Sequence, residues 1–255
     1  MQQHNFRFSA PDWCFFRDSI PAETYYRKLF ELGYTGAEMV APERWQAAKD
    51  VGLELVNACS DGMADGFNVR ANHGKLLDSA LRQVEALSAA GVKNLIVFSG
   101  NRVDGVGDEE AIENCREAFS RLLGEIRGSG VALQFEMLNA RDHAGYQADN
   151  EAFGFRLARM LDDPDFSLCY DIYHMAVSGG DLLDGLEEKL PWIAHFHVAA
   201  LHGRTFPGED NGIDYPAILR ALASNRYDGY VGMEFIASDP LPELERAIAL
   251  FRGYR

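Results

Sequence analysis

Four side chains have chemistry at odds with their surroundings: Glu136 in Gln-Phe-Glu-Met, Asp171 in Cys-Tyr-Asp-Ile, His197 in His-Phe-His-Val and Glu234 in Gly-Met-Glu-Phe. Each sits near the C-terminal end of a short apolar run. A carboxylate in such a run is costly unless it is paired or bound to a metal. Any one of them is explained by exposure or a salt bridge about as often as not, but four in succession point to a shared purpose. Three carboxylates and one imidazole make an oxygen-rich set suited to Mn2+, Mg2+ or Co2+; Zn2+ more often brings extra His or Cys. A divalent cation would nearly neutralise the three carboxylates and remove their mutual repulsion. The expected site is one divalent ion held by Glu136, Asp171, His197 and Glu234.

The elements that must carry these residues alternate along the chain. Amphipathic stretches end in a glycine followed by an apolar run at Gly33, Gly52, Gly91 and Gly130, the pattern of a helix closing before a strand opens. Leu77, Leu81, Val84 and Leu87 mark one helical apolar face, and Ile112, Cys115, Phe119, Leu122 and Ile126 another. Strands are expected at residues 6–9, 35–40, 54–58, 94–98, 132–137, 167–171, 194–198 and 230–235. Strict strand-helix alternation, with near-continuous apolar strands, predicts an α/β protein of the (β/α)8 TIM barrel type, a single domain over residues 1–255. The long polar segments 60–71, 99–108, 139–149 and 199–214 all follow strands. In such barrels those loops build the active site at the C-terminal face.

Composition narrows the function. The 255 residues are 47% hydrophobic and 25% charged, as expected for a globular chain. The 39 acidic against 24 basic residues give a net charge of −15, which repels phosphate backbones and anionic lipid surfaces, so neither nucleic acid nor membrane is an expected partner. Cys14, Cys59, Cys115 and Cys169 form no Cys-x-x-Cys pair, and no apolar run is long enough to span a bilayer. A reduced, cytoplasmic setting is the expectation, and exposed barrel helices suggest a homo-oligomer.

The segments Glu136-Met-Leu-Asn-Ala-Arg-Asp142, Tyr170-Asp-Ile-Tyr-His-Met175 and His195-Phe-His-Val-Ala199, with Arg204 following, resemble the hydroxypyruvate isomerase branch of the xylose isomerase-like TIM barrels. Phe8-Ser-Ala10, Pro207-Gly208, Ile213-Asp-Tyr215 and Gly229-Tyr-Val-Gly-Met-Glu234 extend the resemblance over nearly the whole chain. It implies metal binding by Glu136, Asp171, His197 and Glu234, with Glu136 and Glu234 also forming the acid-base pair. It further implies that His174 meets a substrate oxygen, that Arg204 meets the substrate's anionic or hydroxyl end, and that Asp142 supports the substrate site from its loop. His197 stands where hydroxypyruvate isomerases of this branch often carry Gln and where ketose 3-epimerases carry His. The loop Ala200-Leu-His-Gly203 also departs from the usual one.

The implied reaction is proton abstraction beside a carbonyl, through an enediolate. Return of the proton to the neighbouring carbon isomerises hydroxypyruvate to tartronate semialdehyde, or a related 2-oxo-tetronate; return to the opposite face of the same carbon gives a ketose 3-epimerase. The expected partner is therefore a small 2-oxo acid or ketose. A base working near neutral pH would benefit from a raised pKa, which a dry barrel mouth provides. A sugar-binding barrel without catalysis does not need two opposed carboxylates, and a hydrolase like endonuclease IV needs more histidine ligands and a basic groove. Trp13, Phe15 and Phe16 either wall the pocket or pack the core. His195 shares parity with His197 and reads as a supporting or core residue; His73, His143 and His202 read as surface loop residues. Gly105-Val-Gly107 precedes three acidic residues and lacks a phosphate-binding lysine, so it reads as a turn.

Overall fold

A computed structural model describes residues 6–208 and 211–254. Residues 1–5 of the polar N-terminal stretch, and Glu209 and Asp210 of the 199–214 loop, lie outside the described residues. The elements run β1 (Arg7–Pro11), α1 (Asp12–Phe15), α2 (Ala22–Leu32), β2 (Gly36–Glu38), α3 (Trp45–Asp50), β3 (Glu54–Leu55), β4 (Asn57–Cys59), α4 (His73–Ala90), β5 (Asn94–Val97) and α5 (Asp108–Ile126). They continue with β6 (Ala132–Glu136), α6 (Glu151–Leu161), β7 (Phe166–Asp171), α7 (Ile172–Val177), α8 (Leu186–Lys189), β8 (Ile193–Val198), α9 (Tyr215–Ser224), β9 (Tyr230–Met233) and α10 (Pro240–Gly253). Every expected strand segment contains a strand. The third is split at Val56, whose amide still donates to the Ala37 carbonyl at 3.0 Å. The last stops at Met233, one residue short of Glu234. Among the described residues, no helix is long and apolar enough to cross a membrane.

The chain divides into two compact units. The first comprises residues 1–57, 181–191 and 195–255, and the second residues 58–180 and 192–194.

In the first unit the strand order is β3-β2-β1-β9-β8, all four pairings parallel. The register aligns His197 with Gly232, Gly232 with Ser9 and Ser9 with Gly36, so these four form one layer across four strands. Glu38 lies two residues beyond Gly36 and Glu234 two beyond Gly232, on the same face in each case. Helix α2 ends at Gly33, whose φ of 96° closes the helix and sends the chain into β2. Phe251 of α10 packs on Phe8 of β1 and Tyr215 of α9, with ring centroids 6.4 and 5.2 Å apart.

In the second unit the order is β7-β6-β5-β4, with β5, β6 and β7 paired in parallel. All five expected apolar positions of α5 are buried, and Ile112, Phe119, Leu122 and Ile126 are each worth about 1.5–3 kcal/mol relative to exposure. Helix α4 buries Leu76, Leu77, Ala80, Val84 and Leu87, leaving Leu81 at the margin. Phe119 is the centre of an aromatic cluster with Phe67, Phe135 and Phe166. The long connections do follow strands: β4, β5 and β6 lead into the polar loops, and Asn150 caps α6 by accepting the Phe153 amide.

Candidate active site

In the second unit, Glu136 ends β6 and Asp171 ends β7, both buried. Glu136 pairs in register with Cys169, so Asp171 projects from the same face one strand repeat further on. Asp171 has a local reason for its place: as the N-cap of α7, its Oδ1 accepts the amides of Tyr173 at 2.8 Å and His174 at 3.3 Å. The last strand residue thus starts the helix that carries His174.

His174 is buried, and its protonation pattern follows from its neighbours. Asn139 Oδ1 accepts the Asp142 amide at 2.8 Å, which orients the Asn139 side-chain amide so that Nδ2 is the donor. Nδ2 lies 2.5 Å from His174 Nδ1 and 3.0 Å from Asp142 Oδ2, and the Asn139 backbone amide also donates to Nδ1 at 3.3 Å. With Nδ1 accepting, the proton of a neutral His174 is on Nε2, which lies 3.5 Å from Asp171 Oδ2. Asp142 supports this arrangement without being buried. It accepts the Tyr173 hydroxyl and Arg141 Nε, the latter at 3.2 Å. Partial burial pushes its carboxyl up, but the bonds from Tyr173, Asn139 and Arg141 outweigh that and bring it down to about 2. His143, expected at the surface, instead lies half-buried with its ring edge-on to His174, centroids 5.3 Å apart. His73 is likewise drawn in, as the first residue of α4 with Nε2 2.9 Å from the Phe67 carbonyl; His202 is exposed.

In the first unit, His197 and Glu234 are buried side by side, with Nδ1 of the imidazole 3.0 Å from Oε2 of the carboxylate. Glu234 has three further constraints. Trp13 Nε1 donates to Oε1 at 2.9 Å, Arg204 Nη2 donates to Oε2 at 2.6 Å, and the Glu234 amide donates to the Val198 carbonyl at 3.1 Å. Burial pushes the Glu234 carboxyl up, but His197 and Arg204 outweigh it and hold the group well below the usual carboxylate range. The raised pKa expected for a base in a dry pocket is therefore not found at Glu234, because the Arg204 guanidinium and the His197 imidazole both face it. Arg204 pairs with this glutamate and lies against Trp13, 5.3 Å from the ring centroid. The three aromatics after β1 separate: Trp13 is 49% exposed beside Glu234, Phe15 is buried against Phe235, and Phe16 lies under the Arg44 guanidinium.

Glu38 is not among the expected site residues. It ends β2 fully buried, and its carboxylate collects Ser9 Oγ at 2.6 Å on Oε1, and Asn57 Nδ2 at 2.7 Å and His197 Nε2 at 2.9 Å on Oε2. His195 Nε2 lies 3.0 Å from Oε2 without the alignment of a hydrogen bond. Burial pushes this carboxyl up, and the two imidazoles more than offset it, leaving it well below the usual range. The signal was present: Gly-Ala-Glu38-Met-Val is another glutamate at the end of an apolar run.

Residues 23–254 match the family described as Xylose isomerase-like TIM barrel. The chain is 26% identical over 268 residues to the 3-dehydro-D-guloside 4-epimerase of Escherichia coli K12, covering 96% of this chain and 99% of that one. It is also 26% identical over 226 residues to the hydroxypyruvate isomerase of the same organism, covering 82% and 86%. Among solved structures, an AP endonuclease, family 2, from Brucella melitensis superposes with a TM-score of 0.79 at 22% identity, over 98% of this chain and all of that one. The parallel barrel expected from strand-helix alternation is thus the fold, and the chain belongs to the xylose isomerase-like TIM barrel family of sugar isomerases and epimerases.

Proposed function

We propose that the chain forms one barrel domain over residues 1–255 and is a cytoplasmic, metal-dependent isomerase of a small 2-oxo acid of the hydroxypyruvate type. Glu136, Asp171, His197 and Glu234 would hold the ion; each is buried and offers one ligand atom. The observation that carries the reading is the His197–Glu234 pair. His197 Nε2 faces the Glu38 carboxylate, so a neutral imidazole turns the lone pair of Nδ1 toward Glu234 Oε2, 3.0 Å away. Arg204 meets Oε2 from one side at 2.6 Å, and a divalent ion beside Nδ1 would be the second cation that these two buried lone pairs accommodate. Two ligands about 2.1 Å from an ion at right angles stand about 3 Å apart, so the spacing suits coordination. The donor set, oxygen-rich with one imidazole, suits Mn2+, Mg2+ or Co2+.

When bound, the ion would polarise the substrate carbonyl and its neighbouring hydroxyl. Glu136 and Glu234 are the proposed proton-transfer pair: one takes the proton from the carbon beside the carbonyl and the other returns a proton to the adjacent carbon. His174, with its Nε2 proton fixed by Asn139, would donate to a substrate oxygen, and Asp142 would hold Asn139 in place for it. Arg204 would grip the substrate carboxylate through its planar fork. A second reading, epimerisation of a ketose, is favoured by the imidazole at His197 and by the near full-length similarity to a sugar 4-epimerase. It uses the same two glutamates with proton return to the opposite face.

The test is deuterium incorporation from heavy water into hydroxypyruvate and a panel of ketoses, with and without chelator. Exchange that chelator abolishes is expected, and the substrate that exchanges fastest names the class. Glu136→Gln and Glu234→Gln should each slow exchange by about 10²–10⁴-fold, the usual cost of a lost general base. Wild-type exchange in both variants would refute the proton-transfer pair.

A further inference from the structure

We infer that Glu38 is the residue that makes His197 a metal ligand, by holding the ring with its proton on Nε2 and its lone pair on Nδ1. The role presupposes that His197 binds the ion proposed above. Imidazole offers one lone pair when neutral, and which nitrogen carries it is set by the partner of the other. Here Nε2 meets a fully buried carboxylate oxygen at 2.9 Å. The opposite tautomer would direct a lone pair at that oxygen between two fully buried side chains.

Glu38 is itself prevented from turning away. Ser9 holds Oε1 and Asn57 shares Oε2, and Gly232 leaves the space the carboxylate fills: a Cβ there would lie 2.2 Å from Oε1. A carboxylate behind a metal-bound imidazole also makes the ring a stronger donor. Glu38 contacts neither ion nor substrate in this scheme and acts only through His197, so it is a positioning residue.

The experiment measures Mn2+ binding to the whole chain by calorimetry, and the directly coordinated imidazole nitrogen by pulsed electron paramagnetic resonance, in wild type, Glu38→Gln and Ser9→Ala. Glu38→Gln should weaken Mn2+ binding by about 10–100-fold, the usual effect of losing such a partner, and alter the nitrogen coupling. Ser9→Ala loosens the other carboxylate oxygen but leaves the His197 bond, so it should keep both the affinity, within a few-fold, and the coupling. Wild-type affinity and coupling in Glu38→Gln would overturn the role, and so would an equal loss in Ser9→Ala, which would mark the effect as general loosening. Should Glu38→Gln not fold, nitrogen-15 spectra of the Mg2+-loaded wild type decide: a proton on His197 Nε2 is expected, and one on Nδ1 overturns the role. A wild type that binds Mn2+ with no nitrogen coupling, or binds none, would instead refute His197 as a ligand and the metal reading with it.

Discussion

Gly232→Ala tests how tightly the buried carboxylate beneath His197 is held. The added methyl carbon would stand 2.2 Å from Glu38 Oε1, 2.8 Å from His197 Cδ2 and 3.1 Å from His195 Nε2. A carbon and an oxygen rest about 3.3–3.6 Å apart even in close contact, so the carboxylate must retreat by about 1 Å. Retreat breaks the 2.6 Å bond from Ser9, because Ser9 sits in register with Gly232 on the neighbouring strand and moves with it. Overpacking of this kind costs about 1–3 kcal/mol, and a lost hydrogen bond to a charged group about 1.5–3 kcal/mol. Replacing a glycine within a strand returns about 0.5–1 kcal/mol, so the expected net loss is about 2–5 kcal/mol, a large share of a typical domain's stability. Urea unfolding followed by far-ultraviolet circular dichroism is the assay, read as a fall in midpoint at constant slope. Gly124→Ala is the control: in α5, with nothing within 4 Å of the added carbon, it should gain up to about 1 kcal/mol. If Gly232→Ala unfolds at the wild-type midpoint and binds Mn2+ unchanged, the buried cluster is not the close-packed unit described above.

Three other outcomes are expected. Burial lifts the Asp12 carboxyl to about 6 against the pull of Tyr26 and Arg44. The folded chain therefore holds this proton more tightly than the unfolded one, adding stability at low pH that is lost as pH rises through about 6. Relative to Asp12→Asn, the wild-type unfolding free energy should fall by about 2 kcal/mol between pH 4 and 7; a pH-independent difference in unfolding curves would contradict this. Asp171→Asn keeps a side-chain oxygen to cap α7 but loses the charge, so Mn2+ binding by calorimetry should fall sharply while the unfolding free energy stays within about 1 kcal/mol of wild type. Undiminished affinity would remove Asp171 from the ligand set. Arg204→Lys keeps the charge and loses the planar fork, so KM should rise more for a carboxylate-bearing substrate than for a neutral ketose; equal changes would deny it the carboxylate.

The four ligand-type residues are legible in the sequence because a strand between helices has an almost wholly apolar sequence, against which one carboxylate or imidazole stands out. Glu38 has the same signature but lies on the second strand, apart from the four consecutive strands whose polar ends stand out together. Asn139 is different: a polar residue in a polar loop carries no local anomaly, and only folding reveals that it is aimed at His174 Nδ1. Trp13, which in sequence reads equally as pocket wall or core, becomes a donor to Glu234 through contact across more than two hundred residues. The alternation of elements is readable because it is periodic. The split at Val56 and the end of β9 before Glu234 depend on pairing with neighbours, which periodicity does not encode.

The segment around Arg204 is laced to the end of β9 twice. Its guanidinium holds Glu234, and its carbonyl, turned by a left-handed backbone with φ of 53°, accepts the Ile236 amide at 2.7 Å. The loop is closed on itself where Ala200 donates to the Thr205 carbonyl at 2.9 Å. Residues 200–205 therefore cannot be exchanged as a cassette in the way peripheral loops are swapped between barrels to alter substrate range. A graft replacing them would remove the guanidinium from Glu234 and the backbone anchor from Ile236, leaving Glu234 held by Trp13, His197 and the Val198 carbonyl. Redesign would have to leave residues 200–205 in place and vary neighbouring positions one at a time.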